Sequence, residues 1–283
     1  MASLRTLLLL GRVSNVPTVW SNCLAGWWLG GGGDTNALTL LSIGATLVYV
    51  GGMFLNDAFD ADFDRQHRTE RPIPSGAISE ADVWRWGLGL LGGGTSILIL
   101  LGTKTGVLAV ALLVAILVYD AIHKLLAFSP VLMAACRFLL YLVAASTGSI
   151  GVTGLAVWSA LALAAYIIGL SYIARRESTH GPMRHWPLLA LAVPVGLALL
   201  INDGPVQQSA WLLAVILALW IVRSLRPALW SAERNFGRTV SGLLAGIVLV
   251  DLLAVADVPV QTGVVFLALF VTALLFQRIV PAT

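Results

Sequence analysis

Charged residues are scarce in this sequence of 283 residues. Only 11% of the residues are Asp, Glu, Lys or Arg, whereas a soluble domain carries about 25%. Apolar residues make up 58% of the chain, and no long hydrophilic segment separates them. A soluble core could not bury so much apolar surface. The composition therefore predicts a chain that is embedded in a membrane as a single domain over residues 1–283.

Cysteine is rarer still, with two residues in the chain. Cys23 and Cys136 lie far apart, each inside an apolar stretch, so they form neither a disulfide framework nor a metal-binding pair. Both are expected to be small core residues. The apolar run at residues 7–10 is too short for the core of a cleaved signal peptide. The first apolar stretch is therefore expected to remain as a helix.

Ten apolar stretches fill the chain, with turns rich in Gly, Asn or Asp between them. Their lengths suit helices that cross about 30 Å of hydrocarbon. Glycine pairs at 89/93 and 242/246 predict closely packed helices. The fold class is thus an all-α polytopic membrane protein, a bundle of nine to ten transmembrane helices. The predicted spans are residues 13–30, 37–57, 83–102, 105–121, 130–149, 154–174, 186–201, 209–225, 239–256 and 260–279.

Positive charge is nearly absent from one side of this bundle. With these spans, Lys104 alone falls on that side, and the remaining Lys and Arg residues of the 17 in the chain fall on the other. Because cytoplasmic loops carry the excess of Lys and Arg, both termini are expected in the cytoplasm. The same side carries the acidic residues that end the second span.

These acidic residues follow a helical spacing. At about 100° per residue, Asp57, Asp60 and Asp64 share one face of a helix, and Asp62 lies on the opposite side. Three carboxylates on one face repel each other, and a divalent cation removes that repulsion. Mg²⁺ prefers carboxylate and phosphate oxygens, so the pattern favours Mg²⁺ together with a diphosphate. The alternative is a solvated acidic helix end that nearby arginines stabilise.

The same residues resemble a known family. Asn56, Asp57, Asp60 and Asp64 reproduce the NDxxDxxxD motif of the UbiA superfamily of membrane prenyltransferases, and residues 71–76 read RPIPSG as the segment after that motif commonly does. The resemblance implies a central cavity that opens to the cytoplasmic side. It also implies transfer of an isoprenyl group from an allylic prenyl diphosphate to an acceptor, commonly aromatic, with release of pyrophosphate.

The resemblance assigns roles to individual residues. Asp57, Asp60 and Asp64 would hold Mg²⁺, and Lys124 would neutralise the diphosphate, although Lys124 could instead be a topology residue. Arg137 could contact the diphosphate or pair permanently with an aspartate. The other implied substrate-binding residues are Asn56, Arg71, Tyr119, Asp120, Arg12, Arg175 and Arg176. Aromatic residues considered for the cavity lining are Tyr49, Phe54, Tyr119 and Tyr141.

The sequence departs from the family pattern at the second aspartate-rich motif. Between the sixth and seventh spans, residues 172–178 read YIARRES, and Glu177 is the one remaining metal ligand there. Arg175 and Arg176 could replace the charge of one metal ion. Residues 119–124, 129–130 and 174–177 together look like the bacterial EboC-type branch, which places the protein in the inner membrane of a bacterium.

Two other functions compete with prenyl transfer. The incomplete second motif allows a non-catalytic protein that binds isoprenoid lipid. A transporter is less favoured, because ionisable residues gather at one membrane surface and no charged path crosses the bilayer. The expected partners are a prenyl diphosphate, a small lipophilic or aromatic acceptor and membrane lipids, without nucleic acid. Asp251, a lone acid inside the ninth span, is expected to make a polar contact between helices.

Overall fold

The computed structural model of the protein describes residues 3–124, 126, 128–176, 186–231 and 233–281. Of Arg176 and Trp186 it describes the backbone alone. The described residues form α-helices, short 3₁₀ segments and turns, with no strand. The α-helices are α1 (Leu4–Leu10), α2 (Val16–Leu29), α3 (Thr35–Phe59), α4 (Ala61–His67), α5 (Glu80–Leu100), α6 (Thr103–Ile122), α7 (Ser129–Ser146), α8 (Gly154–Arg176), α9 (Val193–Ile201), α10 (Gln207–Leu229), α11 (Phe236–Ala254) and α12 (Val260–Phe276).

Every predicted span overlaps one of these helices, with bounds that differ by a few residues. Within the described part of the chain, seven helices are long enough and apolar enough to cross a membrane: α3, α5, α6, α7, α8, α10 and α11. The spans predicted at 13–30, 186–201 and 260–279 contain the shorter helices α2, α9 and α12. Residues 186–192 form a 3₁₀ segment before α9, and Pro194 lies in its first turn. The all-α polytopic fold is confirmed.

Two short helices lie outside the predicted spans. Helix α1 precedes the first span, and Ser3 caps its N-terminus by accepting from the amide of Thr6. Helix α4 follows α3 directly, with Asp60 between them. The amides of Asp60 and Asp64 still donate to carbonyls four residues back. The helical spacing of the acidic residues is therefore continuous across the junction.

Close packing of α3 against α5 depends on glycine. A Cβ on Gly51 would lie 2.6 Å from the amide nitrogen of Leu91, and one on Gly94 would lie 2.7 Å from that of Val48. The prediction for Gly89 and Gly93 was wrong, because a Cβ at either position meets no heavy atom within 4 Å. The spacing of glycines along a helix therefore did not reveal which face of the helix packs against a neighbour.

The other predicted glycine pair does lie at a helix contact. A Cβ on Gly242 would lie 2.7 Å from Oγ of Ser224, and one on Gly246 would lie 2.5 Å from the hydroxyl of Tyr166. These contacts bring α11 against α10 and α8. Buried apolar side chains form one cluster around α8 and α11 and another around α3 and α6. Both clusters border the cavity described below.

Candidate active site

The acidic cluster lies at the end of α3 and in α4. Asp57, Asp60 and Asp64 are buried, whereas the side chain of Asp62 is 93% exposed. Asp62 binds Arg65 at the surface, with 2.6 Å between Oδ1 and Nη1. The helical period therefore separated these residues correctly: three carboxylates share the buried face, and the fourth faces away from it.

Two arginines from distant parts of the chain hold Asp57. Oδ1 of Asp57 accepts from Nη1 of Arg71 at 3.2 Å and from Nη2 of Arg12 at 3.5 Å. The backbone of Arg12 is left-handed, with φ 41° and ψ 49°. This conformation costs a non-glycine residue about 1–2 kcal/mol. It turns the chain between α1 and α2, at the point where Arg12 reaches the acidic cluster.

Asp60 contacts two basic side chains that directly follow α6. Nζ of Lys124 lies 2.8 Å from Oδ1 of Asp60, and Nε2 of His123 lies 3.5 Å from the same oxygen. Burial by itself would raise the pKa of Asp60, but its contacts with His123 and Lys124 outweigh burial and lower that pKa. Burial likewise opposes the charged form of His123, yet the contact with Asp60 raises the pKa of His123. Lys124 is thus the nearer of the two basic side chains that pair with Asp60.

Two carboxylate oxygens in this region are buried and have no hydrogen-bond partner among the described residues: Oδ1 of Asp64 and Oδ2 of Asp120. The other oxygen of Asp120 accepts from Nδ2 of Asn56 at 3.1 Å. Burial raises the pKa of Asp64 above its usual value. Unpartnered buried carboxylate oxygens are costly unless a cation approaches them.

These donors fit a magnesium–diphosphate complex better than a bare ion. Across the described ranges, no three Asp, Glu, His or Cys side chains are gathered into a ready-made ion site. Mg²⁺ usually takes one or two carboxylates and completes its shell with water and substrate phosphates. The spacing of Asp57, Asp60 and Asp64 along one buried face, with an unpartnered oxygen on Asp64, suits that kind of coordination.

A cavity of about 330 Å³ lies inside the bundle and adjoins the cluster. Two of its lining residues connect them: Arg12 binds Asp57, and Asp120 accepts from Asn56. The polar part of the cavity includes Arg12, Asn15 and Asp120. Arg12 belongs to both regions, because it borders the cavity and also binds Asp57. The deeper wall is apolar and consists mainly of residues from α3, α6, α7, α8 and α11: Ala45, Val48, Leu112, Ile116, Leu140, Ile167, Leu170, Leu244 and Ile247.

Aromatic residues divide between the cavity and the core. Tyr49 and Tyr119 border the cavity, and the ring of Tyr119 stacks on that of His123 with centroids 5.0 Å apart. Phe54 and Tyr141 do not border it: both are buried in packed apolar clusters. Sequence reasoning missed Phe63, whose ring centroid lies 3.8 Å from Nζ of Lys124. Phe63 lies in α4 and Lys124 in the turn after α6, far away along the chain, so no local spacing indicated this contact.

Arg137 makes no direct ion pair with an aspartate among the described residues. The side-chain amide of Asn22 connects it to Asp251. Nη1 of Arg137 donates to Oδ1 of Asn22 at 2.7 Å, and Nδ2 of Asn22 donates to Asp251 at 2.7 Å. The expected polar contact of Asp251 between helices is confirmed, since Ser21 also donates to it at 2.5 Å. Arg137 borders the cavity as well. Of the two alternatives for Arg137, contact with the diphosphate or permanent pairing with an aspartate, direct pairing is not found among the described residues.

The segment that replaces the second aspartate-rich motif is partly described. Nη1 of Arg175 donates to the carbonyl of Leu126 and to Oγ of Ser129, each at 3.1 Å, and Arg175 borders the cavity. Glu177 lies outside the described residues, as does the side chain of Arg176. The structure therefore brings Arg175 to the same cavity as Arg12 and Arg137.

Fold and site together define a polytopic helical membrane protein with an acidic and basic cluster next to a mainly apolar cavity. A model of the UbiA prenyltransferase family matches residues 15–230. The chain belongs to the UbiA prenyltransferase family.

Curated relatives match a shorter segment. The chain is 38% identical over 88 residues to a digeranylgeranylglyceryl phosphate synthase of Ignicoccus hospitalis, which covers 31% of the chain and 28% of that protein. A digeranylgeranylglyceryl phosphate synthase of Methanoculleus marisnigri is 34% identical over 102 residues, or 36% of each chain. The chain thus spans about a third of the length of these relatives.

Solved structures share the fold over most of the chain. A UbiA homolog from Aeropyrum pernix K1 in its apo form aligns with a TM-score of 0.66 at 16% identity, over 88% of this chain and 98% of that one. A UbiA homolog from Archaeoglobus fulgidus, bound to DMAPP and Mg²⁺, aligns with a TM-score of 0.62 at 17% identity, over 87% and 98%. At these identities the likeness establishes the fold.

Proposed function

We propose that this protein is a Mg²⁺-dependent membrane prenyltransferase. It transfers an isoprenyl group from an allylic prenyl diphosphate to an acceptor and releases pyrophosphate. One observation carries the proposal: the buried face of Asp57, Asp60 and Asp64, with basic side chains bound to Asp57 and Asp60, adjoins a mainly apolar cavity through Arg12, which binds Asp57 and borders that cavity. Membership of the UbiA prenyltransferase family and the DMAPP and Mg²⁺ in the Archaeoglobus fulgidus homolog support it.

The cluster next to the cavity provides binding groups for the diphosphate. Arg71 and Arg12 bind Asp57, and Lys124 binds Asp60. Guanidinium groups bind phosphate oxygens as readily as carboxylates, and an ammonium group acts as a point charge. These three side chains can therefore transfer their hydrogen bonds from aspartates to an incoming diphosphate. The polar groups of Asn56, Tyr119, Asp120 and Arg175 border the same region.

Bond cleavage at the first isoprenyl carbon leaves an electron pair and negative charge on the departing pyrophosphate. Mg²⁺, when bound by Asp57, Asp60 and Asp64, supplies electrostatic stabilisation of that charge. Lys124 and Arg71 add fixed positive charge at the same place. The nucleophilic atom of the acceptor then bonds to the isoprenyl carbon and loses a proton. The apolar walls exclude water, which would otherwise capture the allylic cation.

The sequence resemblance and the curated relatives point to different acceptors. The family resemblance predicted an aromatic acceptor, whereas the curated relatives are named for the product digeranylgeranylglyceryl phosphate, which is not aromatic. The same relatives give no support to the EboC-type branch. We therefore propose the reaction class with a lipophilic acceptor and treat aromatic and glyceryl phosphate acceptors as the two cases to test.

The bacterial inner membrane was expected from the EboC-type resemblance and loses its support with it. We propose further that both termini and the active site lie on the cytoplasmic side of the membrane. The distribution of Lys and Arg supports this orientation, because Lys104 alone falls on the opposite side of the predicted spans. Cysteine accessibility in inverted vesicles tests it. A cysteine introduced at Asp62 should react from the cytoplasmic face, and one at Lys104 should react from the other.

The decisive experiment is a transfer assay on purified protein. Geranyl, farnesyl and geranylgeranyl diphosphates, each labelled in the prenyl chain, are incubated with Mg²⁺ and a lipid extract as acceptor pool. Prenyltransfer predicts label in a new lipid together with an equal amount of pyrophosphate. Binding of a diphosphate without any product would instead support the isoprenoid-binding protein. Ion or phosphate flux in proteoliposomes would support a transporter.

Matched variants of one helix test the acidic cluster. Asp60→Asn and Asp64→Asn remove buried carboxylates and are expected to abolish both Mn²⁺ binding, measured by electron paramagnetic resonance, and product formation. Asp62→Asn removes an exposed carboxylate from the same segment and should leave both unchanged. If Asp60→Asn and Asp64→Asn keep wild-type activity, the assignment of the metal site is wrong.

A further inference from the structure

A group of exposed arginines lies where α10 passes into α11 and where α12 ends. Both α10 and α11 are long and apolar enough to cross a membrane, so the turn between them lies at the membrane surface. Nε2 of Gln277, which follows α12, donates to the carbonyl of Ser241 in α11 at 3.1 Å. This bond brings the end of α12 next to the start of α11. The basic patch consists of Arg223, Arg226, Arg234, Arg238 and Arg278, all of which are exposed.

Hydrogen bonds fix the turn that carries most of the basic patch. The amide of Asn235 donates to the carbonyl of Pro227 at 3.0 Å, and Oδ1 of Asn235 caps α11 by accepting from the amide of Arg238 at 2.8 Å. Oγ of Ser231 donates to the carbonyl of Arg226 at 3.3 Å. The turn is therefore closed on itself, with Arg226 at the end of α10 on one side and Arg238 at the start of α11 on the other.

The charge of the basic patch is not neutralised by carboxylates of the described residues. None of its five arginines forms an ion pair there. Arg65, on the same side of the predicted spans, instead pairs with both Asp62 and Glu80. Glu233 is the one acid in residues 223–238, against four arginines. The surface at this turn is therefore strongly positive.

Neither helix stability nor membrane orientation accounts for this concentration of charge. Arg238 lies in the first turn of α11, where the helix dipole disfavours a cation. Like charges placed close together also repel each other. The orientation of a membrane protein depends on how many basic residues lie on each side, so it does not require them to gather at one turn. A partner that carries negative charge would explain why they do.

An exposed tryptophan lies among these arginines. Trp230 directly follows α10 and is 64% exposed. Tryptophan is enriched where the hydrocarbon of a bilayer meets its headgroups. At the same depth, arginine lays its carbon chain along apolar surface and extends its guanidinium group to the polar side. Guanidinium groups bind phosphate oxygens through paired hydrogen bonds. Trp230 and the basic patch thus have the side chains that suit a layer of lipid phosphates.

From these observations we propose that the basic patch binds the headgroups of anionic phospholipids. Clusters of about four to eight basic residues next to a transmembrane helix attract such lipids. A zwitterionic headgroup also has a phosphate, but its own ammonium group offsets the attraction. The described residues that line the cavity do not include any arginine of the basic patch. Lipid binding at this surface is therefore independent of the proposed prenyl transfer.

Native mass spectrometry in a non-ionic detergent tests the proposal. The probes are dioleoyl phosphatidylglycerol and dioleoyl phosphatidylcholine, which share both acyl chains and differ in headgroup charge. The wild type should bind phosphatidylglycerol about tenfold more tightly or better, since each basic residue near the surface contributes about fivefold. The preference should shrink when ammonium acetate is raised from about 0.1 M to about 1 M, because salt screens exposed charges. Equal binding of the two lipids by the wild type overturns the proposal.

Two triple variants of the basic patch separate charge from structure. Joint replacement by glutamine, Arg226→Gln, Arg234→Gln and Arg238→Gln, should remove most of the preference for phosphatidylglycerol. Joint replacement by lysine at the same three positions retains the charge and should retain most of the preference. If the lysine variant loses the preference as fully as the glutamine variant does, the effect is structural and the proposal fails.

A matched triple variant elsewhere tests the location. Arg5→Gln, Arg65→Gln and Arg85→Gln together remove the same charge from exposed positions on the same side of the predicted spans. This variant should keep the preference of the wild type for phosphatidylglycerol. An equal loss in both glutamine variants would show that the lipid responds to net charge alone, which overturns the assignment to the basic patch.

Discussion

Lys124 and Asp60 join the ends of α6 and α3 through an ion pair, with 2.8 Å between Nζ and Oδ1. The lysine also lies over the ring of Phe63, so both its charge and its carbon chain are held at the cluster. About a third of the Lys124 side chain is exposed. The pair is thus open to an incoming diphosphate, which can take over the ammonium group.

Removing this ammonium should reduce transfer more than stability. Lys124→Ala is expected to lower kcat/KM for the prenyl diphosphate by about a hundredfold, the effect of deleting one preorganised charge at a developing anion. The melting temperature should change little, because partly exposed ion pairs contribute up to about 1 kcal/mol. Steady-state pyrophosphate release and thermal unfolding in detergent measure the two effects. Lys104→Ala removes the exposed lysine at the other end of α6 and should change neither; comparable activities of both variants would contradict the assignment.

Removal of divalent cations should abolish donor binding as well as turnover. Asp57, Asp60 and Asp64 bring negative charge to a site that must accept a diphosphate, so the bare protein should bind geranyl diphosphate weakly. Titration calorimetry after chelation is expected to give no measurable heat, and added Mg²⁺ should restore binding because it bridges carboxylate and phosphate oxygens. Full binding in the presence of excess chelator would show that arginine and lysine suffice.

The floor of the cavity should limit the length of the prenyl chain. Ala45 borders the cavity twelve residues before Asp57 on α3, about 18 Å along the helix. Ala45→Phe fills this end and should shift the kcat/KM ratio towards geranyl over geranylgeranyl diphosphate by about tenfold or more. Ile43→Phe adds a ring of the same size on the exposed side of α3 and serves as the control. An unchanged ratio in Ala45→Phe would place the isoprenyl chain elsewhere.

Packing of α3 on α5 gives a prediction about stability alone. A Cβ on Gly94 would lie 2.7 Å from the amide nitrogen of Val48 and from the carbonyl oxygen of Gly44. Gly94→Ala should therefore lower the free energy of unfolding by about 1–3 kcal/mol, the usual cost of overpacking. Gly93→Ala meets no heavy atom within 4 Å and should be neutral or stabilising, since alanine favours helices. Thermal unfolding in one detergent compares the two; equal melting temperatures would contradict the close approach of α3 and α5.

Local periodicity determined most of what the sequence revealed. Apolar stretches of membrane-spanning length located a helix in every predicted span, because each apolar helix must satisfy its own backbone in lipid. The period of 3.6 residues placed Asp57, Asp60 and Asp64 on one buried face and Asp62 on the exposed one. Both results depend on residues near each other along the chain, so one sequence was enough.

Contacts between distant helices were decided only by the tertiary structure. Three contacts connect distant parts of the chain: Asn56 donates to Asp120, Lys124 pairs with Asp60, and Arg137 is linked through Asn22 to Asp251. The same holds for the glycines: spacing suggested 89 and 93, but the packed face uses 51 and 94. The sequence determined which residues each helix could bury, because burial follows the helical period. The rotation and neighbours of each helix decided which partners those residues meet, because these depend on the packing of the whole bundle.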